Sequence, residues 1–427
     1  MRLYKQELKR LFLMKRTKVI FIIAIALSIL FAVLASEFND ANVPDAEGNT
    51  TWYHGKDAIT FLKEASSSGN GEVTIDSLKS ALQTYQDLYN EYGMDPLRDE
   101  IGEKKFPLDV YWEKVYPIRP LLRMLTTAYG TNEKQAELMS LTSEDIDRFY
   151  EVCGSRLENA MKSDEVLRDP AYISKALSIY EGVNKPFIVS HGYTRDAFDY
   201  ISITILVLVL LSAVMVAPVF SERYESGEDS IIRCTEFGRG KLVKTTLIAV
   251  VTLSSIMYLL GIGAHLLVSD MIFGTDTLKE SVQVLYTVYS LPSLNVLGLQ
   301  IVLALTGWIC CIAITVMATW ISSVMQETST AMVISIIIVV LPTFVYMGIG
   351  CVNWLLAIMP SASVGLNNNM LYSLVDLRFL KIGGNVVWYP AVLVISDIIE
   401  IESLTSHEHI ILRLISSYPL ILQSSSQ

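Results

Sequence analysis

Charge is what this sequence has least of. Only 18% of its 427 residues are Asp, Glu, Lys or Arg, whereas 52% are hydrophobic and the mean hydropathy is +0.41. That scarcity excludes an ordinary soluble enzyme of this length and makes a membrane protein the first reading. The formal charge of -11 and the pI of about 5.1 describe no single surface, because the charges are unevenly placed along the chain. Cysteine is also sparse: Cys153, Cys234, Cys310, Cys311 and Cys351 form no CxxC, and the long polar segment holds only Cys153. A disulfide framework and a thiol metal site therefore lack support, and the thiols read as small buried hydrophobes. A phosphate-binding loop is missing too. GRGKLVKTT, from Gly238, lacks the glycine five residues before its GK pair and has Leu242 where Ser or Thr should follow the lysine. His407 and His409 beside Glu400 and Glu402 make HEH rather than HExxH, which reads as a polar tail. The chain is expected to hold no catalytic residue, no metal and no cofactor, so any ATP chemistry belongs to another subunit.

What the sequence does have is long uncharged runs. The first eighteen residues carry Arg2, Lys5, Lys9, Arg10, Lys15, Arg16 and Lys18 against a single acid, Glu7, and an apolar run from Val19 to Ala35 follows. By the positive-inside rule this predicts a cytosolic N-terminus and a first span. Seventeen residues at about 1.5 Å each reach about 26 Å, enough if Lys18 snorkels. Val33-Leu34-Ala35 also fits a signal-peptide cleavage site; either way the next segment is exported.

Residues 36–199 have no run long enough to span, and acids such as Asp95, Asp99, Glu100 and Glu103 dominate there. This predicts a folded extracytoplasmic domain in the cell membrane's outer space. Helix starts recur in it: Thr142 lies three residues before Asp145 and opens EDIDRFYEVCGSRLENAM, and Asp169-Pro170 opens AYISKALSIYEG. Alternating strand patterns are rare, so the domain should be mainly helical, with linkers after Glu37 and from Ser66 to Glu72.

From Asp199 onward the chain returns to lipid-like composition. Tyr200–Phe220, Thr245–Ser269, Leu294–Ile321 and Ala331–Ile349 contain no Lys, Arg, Asp or Glu, giving five spans with the first. The connection after Phe220 carries Arg223, Arg233, Arg239, Lys241 and Lys244, which puts it on the same side as the basic N-terminus. A sixth span is interrupted, because Val386–Ser396 is about 16 Å of helix before Asp397, Glu400 and Glu402. The predicted architecture is all-α: a polytopic membrane helix bundle over 200–427 plus the first span at 1–35, with the helical domain between spans one and two. His265, inside the third span, reads as a neutral histidine hydrogen-bonded to a neighbour.

The informative stretch is FSERYESGEDSIIRCTEFGRGKLVKTT, from Phe220 to Thr246. A short helix there can offer Ile231, Ile232 and Phe237 to a groove on a soluble partner, with flanking charges setting its register. The alternative is an ordinary amphipathic loop lying at the membrane surface. The stretch resembles the coupling region of ABC exporter permeases of the type-2 class, in which a glutamate-rich start, a glycine, a short amphipathic helix and a basic residue recur. The matching positions are Glu222, Glu225, Gly227, Arg239 and Lys244, within a cytosolic loop at 221–244. The order of parts is also similar to that family, up to about Pro390, and residues 351–373 look like its re-entrant outer segment, which must be buried against protein. The tail departs from the family, which ends in a clean span and a basic terminus. The resemblance implies a permease subunit in the lipid bilayer, a homodimer or a heterodimer with a second permease, driven by a separate ATP-binding-cassette ATPase and contacting no nucleic acid. The competing reading is a membrane sensor or assembly factor whose outer domain binds a ligand or partner.

Overall fold

A computed structural model describes residues 2–44, 50–97, 106–131, 137–234, 240–345, 359, 361–365 and 369–406. The chain is mostly helical, and four described helices are long and apolar enough to cross a membrane: Lys15–Leu34, Arg195–Glu225, Lys241–Phe273 and Val296–Val324. It is a multi-pass, membrane-associated protein. At about 1.5 Å per residue even the shortest, 20 residues long, reaches about 30 Å. The fifth predicted run falls on helix Thr328–Val345, in which Thr328–Leu341 is an apolar stretch shorter than the four spans, and residues 346–349 of the run lie outside those described. The sixth differs from expectation. Val386 lies in strand Asn385–Trp388, paired with Phe379–Ile382 around Gly383-Gly384, and the helix is Tyr389–Ser406. That helix packs on the fourth span and buries Asp397, whose carboxylate accepts from the Ser363 hydroxyl at 3.0 Å. The re-entrant segment 351–373 and the tail from His407 lie largely outside the described residues.

Glycines let the spans approach closely. A β-carbon on Gly307 of the fourth span would stand 2.3 Å from Tyr258 Oη and 2.5 Å from Ile205 Cγ2. One on Gly261 of the third span would stand 2.5 Å from Leu208 and 3.1 Å from the Ser28 hydroxyl. Both meet the second span in the bundle's core, where small residues substitute for the hydrophobic drive that lipid cannot supply.

Residues 36–199 build a separate, mainly helical core with Leu78, Leu122, Phe149, Leu157 and Phe187 at its centre. Asp169 caps helix Pro170–Tyr180 as its sequence predicts. Thr142 and Asp145 form a capping box, but it opens only Ser143–Ile146; the chain turns before helix Phe149–Lys162 because Ile146 and Phe149 must both enter the core. Two short pairings went unread in the sequence. Asp40–Pro44 pairs with Thr50–His54, and Gly71–Glu72, within the expected linker, pairs with Ile188–Val189.

This core is completed from elsewhere in the chain. Val284, Val288 and Leu291, in the connection between the third and fourth spans, pack into it, and Tyr180 donates its hydroxyl to Val288 O at 2.7 Å. Glu280 lies within that connection, 5% exposed. Burial pushes its carboxyl up to about 8, against the Ser190 backbone hydrogen bond and the Arg123 charge. The folded state therefore holds a proton that the unfolded chain, with an ordinary value of 4.5, has released, and stability falls as pH rises from about 4.5 to about 8. Glu280→Gln keeps an acceptor and removes the ionisation. Its thermal midpoint in detergent is expected to exceed the wild type's at pH 8 and to match it at pH 4.5; equal shifts at both pH values would contradict this.

Candidate functional site

The end of the bundle opposite the appended domain gathers residues far apart in sequence. Helix Arg2–Leu13 buries Glu7 and Leu11, one turn apart on one face. The Glu7 carboxylate accepts from Arg10 Nε at 3.0 Å and Nη2 at 2.7 Å, from Arg223 Nη2 at 2.5 Å and from Thr246 Oγ1 at 3.0 Å. Arg223 belongs to helix Pro218–Glu225, which continues the second span, and Thr246 to the start of the third. Glu7, Arg223 and Thr246 are 6%, 7% and 0% exposed. Burial raises the Glu7 pKa, but the Arg10 hydrogen bond and the Arg223 and Arg10 charges outweigh it and hold the carboxyl below 4.5. One ionised carboxylate thus ties three elements together.

Further bonds extend this clamp. Ser322 Oγ, near the end of the fourth span, accepts from Phe220 N at 2.9 Å and Ser221 N at 3.1 Å. Tyr224 donates to Ser323 O at 3.1 Å. The positions singled out from the sequence sit beside it. Glu225 accepts from Thr328 N at 2.6 Å, placing a carboxylate at the N-terminus of the next helix. Glu222 pairs with Arg16 at 3.6 Å on the surface, a weak contact. Residues 221–225 are the last turns of a helix that includes the second span. Gly227, at φ +74°, makes the left-handed turn into helix Glu228–Arg233, a conformation that a β-carbon disfavours. On that helix Ile231 is 70% exposed, whereas Ile232 is half-buried. Lys244 is exposed on the first turn of the third span, and Arg239 and Phe237 lie outside the described residues.

The sequence reading did not connect Glu7 with Arg223. The available signal was the lone acid on a basic helix, four residues before the apolar Leu11. His265 is buried in the third span, its Nδ1 2.9 Å from Thr204 Oγ1 and 3.1 Å from Ser28 O. Because a carbonyl only accepts, Nδ1–H donates there, and the histidine tethers the third span to the first and second, as its hydrogen-bonded reading expected. No family model matches the chain, and no curated protein or solved structure is significantly similar to it.

Proposed function

We propose that the chain is the membrane-spanning subunit of an ABC exporter. In this reading its N-terminus and residues 218–246 face the cytosol, residues 36–199 stand outside the cell membrane, and a separate ATPase docks beneath helix Glu228–Arg233 of each permease in a dimer. The observation that carries the reading is the exposed Ile231 on the helix that follows, across the Gly227 turn, the helix holding Arg223 of the Glu7–Arg223–Thr246 clamp. A partner seated on Ile231 would push, across the Gly227 turn, on a helix continuous with the second span that is bonded to the N-terminal helix, through Glu7 to the third span, and directly to the fourth span and the start of helix Thr328–Val345. Displacement of that unit is a rigid-body transition of packed helices. The shared basic end of the bundle supports the orientation.

The test is affinity purification of the tagged full chain from its native membrane in mild detergent. A soluble ATPase should co-purify in stoichiometric amount, and Ile231→Asp should reduce its recovery at least about tenfold, the effect of losing one buried apolar anchor. Gly227→Trp and Glu222→Arg should abolish export while leaving membrane insertion intact. Recovery of no ATPase overturns the reading. It would favour a sensor or assembly factor, for which the specific support is the appended core's dependence on Val284, Val288 and Leu291 between two spans.

A further inference from the structure

A cavity of about 480 Å³ opens where the appended domain meets the bundle. Its cations come from separate parts of the chain: Lys63 from helix Gly55–Ser66, Arg119 and Arg123 from helix Arg119–Tyr129, and Arg195 from the start of the second span. Lys63 is neutralised by Asp276 at 2.9 Å. Among the described residues none of the three arginines forms an ion pair with a carboxylate, and the acids on the wall itself are Asp196 and the buried Glu280. Positive charge is therefore in excess.

Two of the arginines are held rigidly. Arg123 Nη2 donates to Val284 O at 2.7 Å and Leu285 O at 2.9 Å, and Arg195 donates to the same Leu285 O at 2.9 Å and to Tyr286 O at 2.6 Å. Two guanidinium groups sharing one carbonyl repel each other across a short gap, an arrangement that an anion between them would relieve. The remaining Arg123 and Arg195 donors are free of these bonds. Helices Arg119–Tyr129 and Arg195–Val216 both begin on the cavity wall, so the positive ends of two helix dipoles converge there. Burial and the Arg195 charge lower the Arg123 pKa, Glu280 opposes them and Arg119 adds to the lowering, while burial, Arg119 and Arg123 bring His191 on the same wall down to about 4. Ile59, Leu62 and Val284 supply an apolar side.

From this geometry we infer that the cavity is a binding site for an anionic group, a phosphate or carboxylate, carried on an apolar body. Its volume suits a small organic ligand or the headgroup and glycerol region of a lipid. The site stands independently of the ATPase-coupling reading, because no residue at the opposite end of the bundle enters the argument.

The test uses the full chain in neutral-lipid nanodiscs with two probes, inorganic phosphate and dihexanoyl phosphatidic acid, and dihexanoyl phosphatidylcholine as the zwitterionic control, whose choline cancels the phosphate charge. Dihexanoyl phosphatidic acid should raise the thermal midpoint saturably, and phosphatidylcholine should not. Arg119→Gln, at an exposed arginine with no structural bond, should weaken the apparent Kd at least about tenfold, the loss expected for one charge-assisted contact. Arg195→Gln should do the same with some loss of stability. Arg148→Gln, on an arginine 74% exposed elsewhere on the domain, should change nothing. Saturation by inorganic phosphate alone assigns the site to a soluble anion, and a requirement for the acyl chains assigns it to lipid. A wild type that binds neither probe, or an Arg119→Gln protein that binds like the wild type, overturns the inference.

Discussion

Glu7→Ala is expected to destabilise the folded protein by about 3–5 kcal/mol, the cost of removing one partner of a buried pair and leaving the other charged. Arg223 would keep its charge at 7% exposure with its hydrogen-bonded carboxylate gone, leaving the Phe220 ring at 5.6 Å, the weaker attraction of Glu228 and the repulsion of Arg10. Thr246 would lose its acceptor as well. The loss should appear in thermal or denaturant unfolding of the detergent-solubilised protein. Glu7→Leu combined with Arg223→Met should recover most of it, because no uncompensated buried charge remains; Arg10 also loses its carboxylate but is 37% exposed and can be solvated. The pH dependence has a definite sign. The folded pKa of Glu7 is lowered, so its contribution is present above the ordinary 4.5 and is lost as pH falls through the folded value. The gap between wild type and Glu7→Ala should narrow in acid. A single-mutant cost below about 0.5 kcal/mol, the size of a surface pair, would mean the cluster is solvated and clamps nothing.

Gly307→Val is expected to have the second large effect. Its first added carbon would meet Tyr258 Oη at 2.3 Å and Ile205 Cγ2 at 2.5 Å, so the second, third and fourth spans must separate to admit it. Overpacking of this kind costs about 1–3 kcal/mol or more where backbone must shift. Gly263, on the third span, is the internal control: a β-carbon there meets nothing within 4 Å, so Gly263→Ala should be neutral or slightly stabilising. The nearest obstacle to Gly307 is one hydroxyl. Tyr258→Phe should therefore restore part of the stability of Gly307→Ala, although it removes the hydroxyl that donates to Ala304 O. Equal behaviour of Gly307→Val and Gly263→Ala in unfolding would show that the spans are not packed through Gly307.

The four long spans were legible because membrane crossing depends on a local sum. Each residue adds its own transfer free energy, and a window free of Lys, Arg, Asp and Glu reports the sum without knowledge of any neighbour in space. Helix starts were legible for the same reason: Asp169 acts on Ala171 N and Thr142 on Asp145 N, two and three residues away. Short strands were not. Thr50–His54 is almost wholly exposed and carries no alternation, so its pairing depends on the partner strand rather than on its own pattern. The start of the last helix was misplaced because Val386 and Val387 are apolar in either a strand or a helix, and only their pairing with Leu380 and Lys381 across Gly383-Gly384 decides between them.

The candidate sites divide along the same line. From the sequence came the basic N-terminus, Gly227 as a position in the coupling stretch and the apolar pair Ile231 and Ile232, all features of adjacent residues. Tertiary structure alone decided that Glu7 meets Arg223, 216 positions away, and Thr246, 239 away. It likewise decided that Arg123 reaches the Val284 carbonyl across 161 positions to form one wall of a cationic cavity. Hydropathy and capping are properties of a segment, whereas a buried charge acquires its meaning from the partner that compensates it, and which partner that is depends on how the helices pack.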